Sequence, residues 1–186
     1  MGAAGTDVSH ETQRAKDFAT LAINDKITLI VLHAGKDEIR SIVIPSSVKE
    51  IGFWAFAHCE SLESIIIPSA VTLVDEYTFF SCKKIKSVTL PDSLISIGTS
   101  AFGNCESLCS IVLPKSLEKI EMMAFCYCSE LKKVVIPKNV TTIAYSAFSS
   151  CDEIHIYCEA ESKPSGWDDR WCDENTNITW DIKNTL

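Results

Sequence analysis

Aliphatic and polar positions along this chain follow a pattern that returns every 23 residues. Each unit reads L-x-x-I-x-I-P-x-x-V-x-x-I-x-x-x-A-F-x-x-C-x-x, with the aliphatic residues interchangeable. The first unit runs from Ile39 to Ser61, the next begin at Leu62, Ile85, Leu108 and Leu131, and a degenerate sixth begins at Ile154. Pro45, Pro68, Pro91, Pro114 and Pro137 keep the period. So do Phe56, Phe79, Phe102, Phe125 and Phe148, and likewise Cys59, Cys82, Cys105, Cys128 and Cys151. Three residue types locked to one spacing, without insertion or deletion, define a solenoid: one structural unit copied along an axis.

Within a unit the pattern predicts the local structure. Ile65-Ile66-Ile67 and its equivalents Ile42-Val43-Ile44, Val88-Thr89-Leu90, Ile111-Val112-Leu113 and Val134-Val135-Ile136 are short and mostly β-branched, which favours strand. The proline that follows has no N–H to continue a ladder and ends the strand. Val71 and Val74 then point back inward on a second extended segment, and the Ala-Phe pair with its downstream Cys closes the circuit through a short helical turn. A single coil cannot cover its own apolar residues. Stacking the next one about 4.8 Å away covers them and pairs strand with strand in parallel.

The ends of such a stack need covers. Phe18 to Ile23 and Lys26 to Leu32 flank the turn-type dipeptide Asn24-Asp25, which predicts a β-hairpin cap over residues 17–38. Residues 1–16 show no apolar period and are expected to be disordered. The five repeats fill 39–153, and residues 154–186 form the degenerate repeat and a C-terminal cap rich in tryptophan (Trp167, Trp171, Trp180).

Composition narrows the function. The chain of 186 residues carries a formal charge of −8, which argues against a nucleic-acid partner. No apolar run reaches the length of a membrane span. Of nine cysteines, five belong to the repeat and suit a buried core as reduced thiols, with Cys158 to Cys172 the main candidate for a bridge. Cys126 and Cys128 make a C-x-C pair without a second matching pair. The cluster Asp168, Asp169, Asp173, Glu174 and Asn175 lacks the alternating oxygen spacing of a calcium loop. No nucleophile, acid–base pair or phosphate loop stands out, so the chain is expected to be non-enzymatic and to use no cofactor. Met1 to Thr6 fits a myristoylation pattern on a very short match.

The unit, with Ile51-Gly52 and Ile97-Gly98 keeping a glycine after the last aliphatic residue, closely resembles the BspA-like class of leucine-rich repeats over residues 39 to about 158. The stretch Cys158 to Trp167 with Trp171 and Trp180 is similar to the C-terminal lid of bacterial members. The resemblance implies a right-handed parallel leucine-rich-repeat solenoid with a concave sheet. It also implies a surface-displayed or secreted protein of a kind linked to adhesion or host-protein binding, with no catalytic motif to carry over. Residues 1–25 hold no leader-like apolar stretch, which keeps a cytoplasmic location open and, with only five full repeats, leads us to expect a fragment or a minimal member.

Three outward strand columns form the expected ligand face. The first is Arg40, Glu63, Lys86, Cys109 and Lys132; the second is Ser41, Ser64, Ser87, Ser110 and Lys133; the third is Val43, Ile66, Thr89, Val112 and Val135. Small and β-branched residues suit crowded parallel strands, but an apolar stripe with a polar rim also suits protein docking. The expected function is protein binding by a monomer through this face. The alternatives are a carbohydrate-binding adhesin using the late tryptophans and a purely structural spacer.

Overall fold

The computed structural model describes residues 20–22, 29–30 and 39–182. Its strands come two to a coil: β1 (Thr20–Ala22) with β2 (Leu29–Ile30), β3 (Ser41–Val43) with β4 (Glu50–Ile51), and β5 (Ser64–Ile66) with β6 (Leu73–Val74). The series continues with β7 (Ser87–Thr89) and β8 (Ser96–Ile97), β9 (Ser110–Ile111) and β10 (Lys119–Ile120), and β11 (Lys133–Ile136) and β12 (Thr142–Ile143); β13 (His155–Cys158) and β14 (Asn177–Thr179) follow as first strands of successive coils. First strands stack in the order β1-β3-β5-β7-β9 and, after an interruption of the ladder, β11-β13-β14; second strands stack as β2-β4-β6-β8-β10-β12. All of these pairings are parallel, as Ser64↔Ser87 and Val74↔Ile97 illustrate. The result is a parallel β-solenoid.

The sequence explains each side of a coil. In β5 the middle residue Ile65 is buried while Ser64 and Ile66 face out, the period-two alternation of a strand with one buried face. The carbonyl of Pro68 then accepts the N–H of Val71 at 3.1 Å, and the same bend recurs at Pro45, Pro91, Pro114 and Pro137. After the second strand, however, the expected helical turn is absent. The chain makes successive turns in which Trp54 and His58, Tyr77 and Ser81, Ser100 and Asn104, Met123 and Tyr127, and Ser146 and Ser150 adopt positive φ. This geometry aims alternate N–H groups along the solenoid axis. Phe56 donates to the Thr78 carbonyl at 2.8 Å and Phe79 to that of Ala101 at 2.8 Å. A non-glycine residue in this region costs roughly 1–2 kcal/mol, which the inter-coil bonds offset.

The core is a set of columns. Phe56, Phe79, Phe102, Phe125 and Phe148 are fully buried, with successive ring centroids 5.1–5.3 Å apart and planes within 12° of parallel. Beside them, the thiols of Cys82, Cys105, Cys128 and Cys151 each donate to the carbonyl of the phenylalanine one coil earlier, at 3.1–3.2 Å. Where Thr78 replaces the usual alanine, its hydroxyl bonds the Asp75 carbonyl at 2.8 Å, so the buried oxygen is satisfied. Gly98 has a local reason: a Cβ there would lie 2.8 Å from the Glu76 nitrogen of the preceding coil.

One cap departs from expectation. β1 and β2 do not pair with each other as a hairpin; β1 pairs in parallel with β3, and β2 in parallel with β4. They are the two strands of a further coil. The same turn chemistry serves a bend between two sheets and a hairpin within one, so Asn24-Asp25 could not tell them apart. That dipeptide, residues 1–16 and the Met1 to Thr6 pattern lie outside the described residues.

At the other end the tryptophans close the stack. Trp171 meets Phe148 edge-on at 6.0 Å, Trp167 packs 5.0 Å from Trp171, and Trp167 Nε1 donates to the Val140 carbonyl at 3.1 Å. Trp167 also forms a parallel bridge with Ile143, so the lid imitates a coil. Gly166 permits this approach, since a Cβ would lie 2.3 Å from the Thr141 carbonyl oxygen.

Candidate face on the first sheet

Because inward and outward residues alternate on the first strands, the columns expected to face solvent do so. Val43, Ile66 and Val112 are 62%, 68% and 82% exposed. Thr89 is exposed beside them, and Val135 is half-buried. Ser64, Ser87 and Ser110 are exposed in the neighbouring column, with Ser41 half-buried at its start and Lys133 exposed at its end. Arg40, Glu63, Lys86, Cys109 and Lys132 are all exposed along the rim. Ile44, Ile66, Pro68, Thr89, Leu90 and Pro91 contribute to a groove of about 680 Å³ where this face meets the proline bends.

The rim charges are mostly spoken for. Lys86 pairs with Glu63 at 3.7 Å, and Lys132 Nζ donates to the Ser129 and Asp152 carbonyls at 3.0 and 2.9 Å with Glu153 at 3.8 Å. Lys83, three residues before Lys86, lies 4.0 Å from Glu106. Such exposed pairs contribute little stability, typically under about 1 kcal/mol.

The face extends further than its repeat-based columns. The offset from Lys133 to His155 is 22 residues instead of 23, and β13 brings His155 and Tyr157 into the serine and β-branched columns. Their rings stack at 4.2 Å, Lys133 Nζ sits 4.8 Å above the Tyr157 ring, and His155 Nε2 shares a 2.8 Å hydrogen bond with Thr179 Oγ1. The period slips by one residue after Ile154, and columns drawn from the five full repeats alone stop short of these two rings. A second unforeseen feature lies on the turn side, where Phe53, Trp54, His58, Tyr77 and Phe80 form a contiguous set of ring contacts, Trp54 to Tyr77 at 5.3 Å. Trp54 and Tyr77 share one repeat position, but Ser100, Met123 and Ser146 fill it in later coils, so the five-copy pattern does not mark the cluster.

Other candidates have structural occupations. Trp167 and Trp171 are only 3% exposed and Trp180 is half-buried, so Trp167 and Trp171 present no open stacking platform to a sugar. Asp168 accepts the Arg170 N–H at 2.7 Å, Asp173 accepts the Ser150 N–H at 2.8 Å, and Asp169 pairs with Lys163, which lowers its pKa. All nine cysteines are free thiols. Burial pushes Cys105, Cys151 and Cys158 up to about 12 and raises Cys82 and Cys128 well above the ordinary range, so these sulfurs stay protonated and unreactive.

Known proteins share this architecture. The sequence profile for the BspA type leucine rich repeat region matches six copies over residues 32–155. No curated protein matches significantly. A leucine-rich repeat protein from Bacteroides ovatus is 36% identical with a TM-score of 0.58, over 65% of this chain and 30% of that one. The T. pallidum leucine rich repeat protein is 28% identical with a TM-score of 0.69, over 74% of this chain and 68% of that one. A leucine rich cell surface protein from Faecalibacterium prausnitzii shares the fold at 21% identity, TM-score 0.54, over 87% of this chain and 59% of that one. With its six profile copies and its parallel coils, the chain belongs to the BspA-type leucine-rich-repeat family.

Proposed function

We propose that this chain is a non-catalytic interaction module that docks a protein partner on the outward face of its first sheet, as part of a surface or secreted protein. The observation that carries the reading is the column Val43, Ile66, Thr89 and Val112, whose aliphatic members stay largely exposed beside a column of serines. Exposed aliphatic side chains in line, bordered by polar residues, are characteristic of docking surfaces. The surface location draws support from the F. prausnitzii protein of the same fold, which is a leucine rich cell surface protein.

The test compares two double variants in partner capture. Ile66→Glu with Val112→Glu alters this face; Leu73→Glu with Ile95→Glu alters exposed positions on the second-strand side. Loss of capture in the first alone, with both variants as thermally stable as the parent, is the expected result. Capture unaffected by the first variant would refute the assignment.

A further inference from the structure

Resting on the docking face just proposed, we infer the chemistry of its occupant: an extended protein segment lying along the solenoid axis, with an aliphatic side chain in the groove beside Ile66 and a carboxylate over Lys133. Two observations support the apolar end and the acidic end separately.

The groove at Ile44, Ile66, Pro68, Thr89, Leu90 and Pro91 has mainly apolar walls, with Ser46, Ser69, Asp92 and Ser93 at its margin. At about 680 Å³ it has ample room for an aliphatic side chain and its neighbours in a segment, and aliphatic groups gain most from leaving water there.

At the other end the charge balance of the face opposes that of the chain. The net charge is −8, yet the three outward columns hold one carboxylate, Glu63, and that is tied to Lys86. Lys132 is tied to Glu153 and two carbonyls. Among the described residues Lys133 has no carboxylate within ion-pair distance; it lies over Tyr157, whose ring is stacked on a His155 anchored to Thr179. A cation held by a ring and its neighbours loses less rotamer freedom when an anion arrives.

Between the two ends stand Ser87, Thr89, Ser110 and Val112, small or β-branched and uncharged, which let a backbone lie close. Ile66 and Lys133 are three coils apart, so along the axis the ends are separated by about 14 Å at about 4.8 Å per coil, and the Lys133 side chain covers the sideways step by leaning over Tyr157 in the Ile66 column. An extended segment rises about 3.3 Å per residue, which places the acid about four residues from the aliphatic anchor. Residues four apart in an extended segment point to the same side, so both can reach the sheet at once.

The experiment selects phage-displayed random 12-residue peptides on the immobilised chain and measures synthetic copies by fluorescence anisotropy. The expected result is enrichment of peptides pairing an aliphatic residue with Asp or Glu about four positions away. Lys133→Glu should weaken them roughly tenfold, and Lys119→Glu, the same charge change on the second sheet, should not. Binding should also weaken as salt is raised. If the peptides lack acidic enrichment, or bind Lys133→Glu unchanged while Ile66→Glu abolishes binding, the inference fails and the docking face stands. If Ile66→Glu also binds normally, the docking face fails with it. Failure to enrich any peptide dependent on this face overturns the inference. So does dextran sulfate binding with the same Lys133 dependence while acidic peptides do not bind, which would point to an anionic polysaccharide.

Discussion

The thiol of Cys105 donates to the carbonyl oxygen of Phe79, 26 residues earlier, at 3.2 Å. The same carbonyl accepts the backbone N–H of Cys82 at 3.1 Å. The cysteine column thus ties each coil to the one before it at the base of the phenylalanine column. Cys105→Ala removes the donor and leaves a small void, and should cost about 1–2 kcal/mol in urea unfolding.

Alkaline pH should unfold the protein through these same thiols. Their ordinary pKa is 9.0, and burial raises Cys105 and Cys151 to about 12. Above pH 9 the unfolded chain gives up protons that the folded one retains. Stability is therefore undiminished below about pH 9 and falls between about 9 and 12, by up to about 1.4 kcal/mol per pH unit for each such thiol. Urea midpoints measured from pH 7 to 11 check this; a flat profile above pH 9 would contradict it. At neutral pH a thiol reagent should modify exposed Cys109 first and half-buried Cys172 slowly, reaching the others only on unfolding.

Phe102 lies mid-column, with neighbouring rings 5.3 Å away on both sides. Phe102→Ala should cost about 3–5 kcal/mol in equilibrium unfolding, because rigid coils above and below limit collapse of the cavity.

The lid depends on one close approach. Gly166→Ala sets a Cβ against the Thr141 carbonyl oxygen, and relief requires the backbone leading into Trp167 to move. The expected cost is about 1–3 kcal/mol, with tryptophan fluorescence shifted to the red as Trp167 gains water. Gly98→Ala makes a comparable clash with Glu76 inside the stack, so it should cost a similar amount with little change in that fluorescence.

The core columns were legible because every coil gives Phe56 and its four counterparts the same neighbours, and equal surroundings select equal residues. The turn side was not, since left-handed backbone at Trp54 or Met123 depends on hydrogen bonds to the next coil and has no glycine to announce it. The first coil was misread because Thr20–Ala22 and Leu29–Ile30 join different sheets. On the outward face of the first sheet the repeating columns were visible, but columns drawn from the five full repeats end at Lys133 and Val135, and His155 and Tyr157 join them only through the 22-residue spacing that follows.

On the turn side, each coil's N–H groups bond carbonyls of the coil that follows, and the Ser150 N–H ends on the Asp173 carboxylate instead. On this side the internal junctions therefore share one backbone hydrogen-bonding pattern. Duplicating or deleting one whole 23-residue unit in the middle leaves the first coil and the tryptophan lid facing the surfaces they already fit. Recombination between repeats can lengthen or shorten the molecule in whole steps of about 4.8 Å, and with it the reach of whatever it holds.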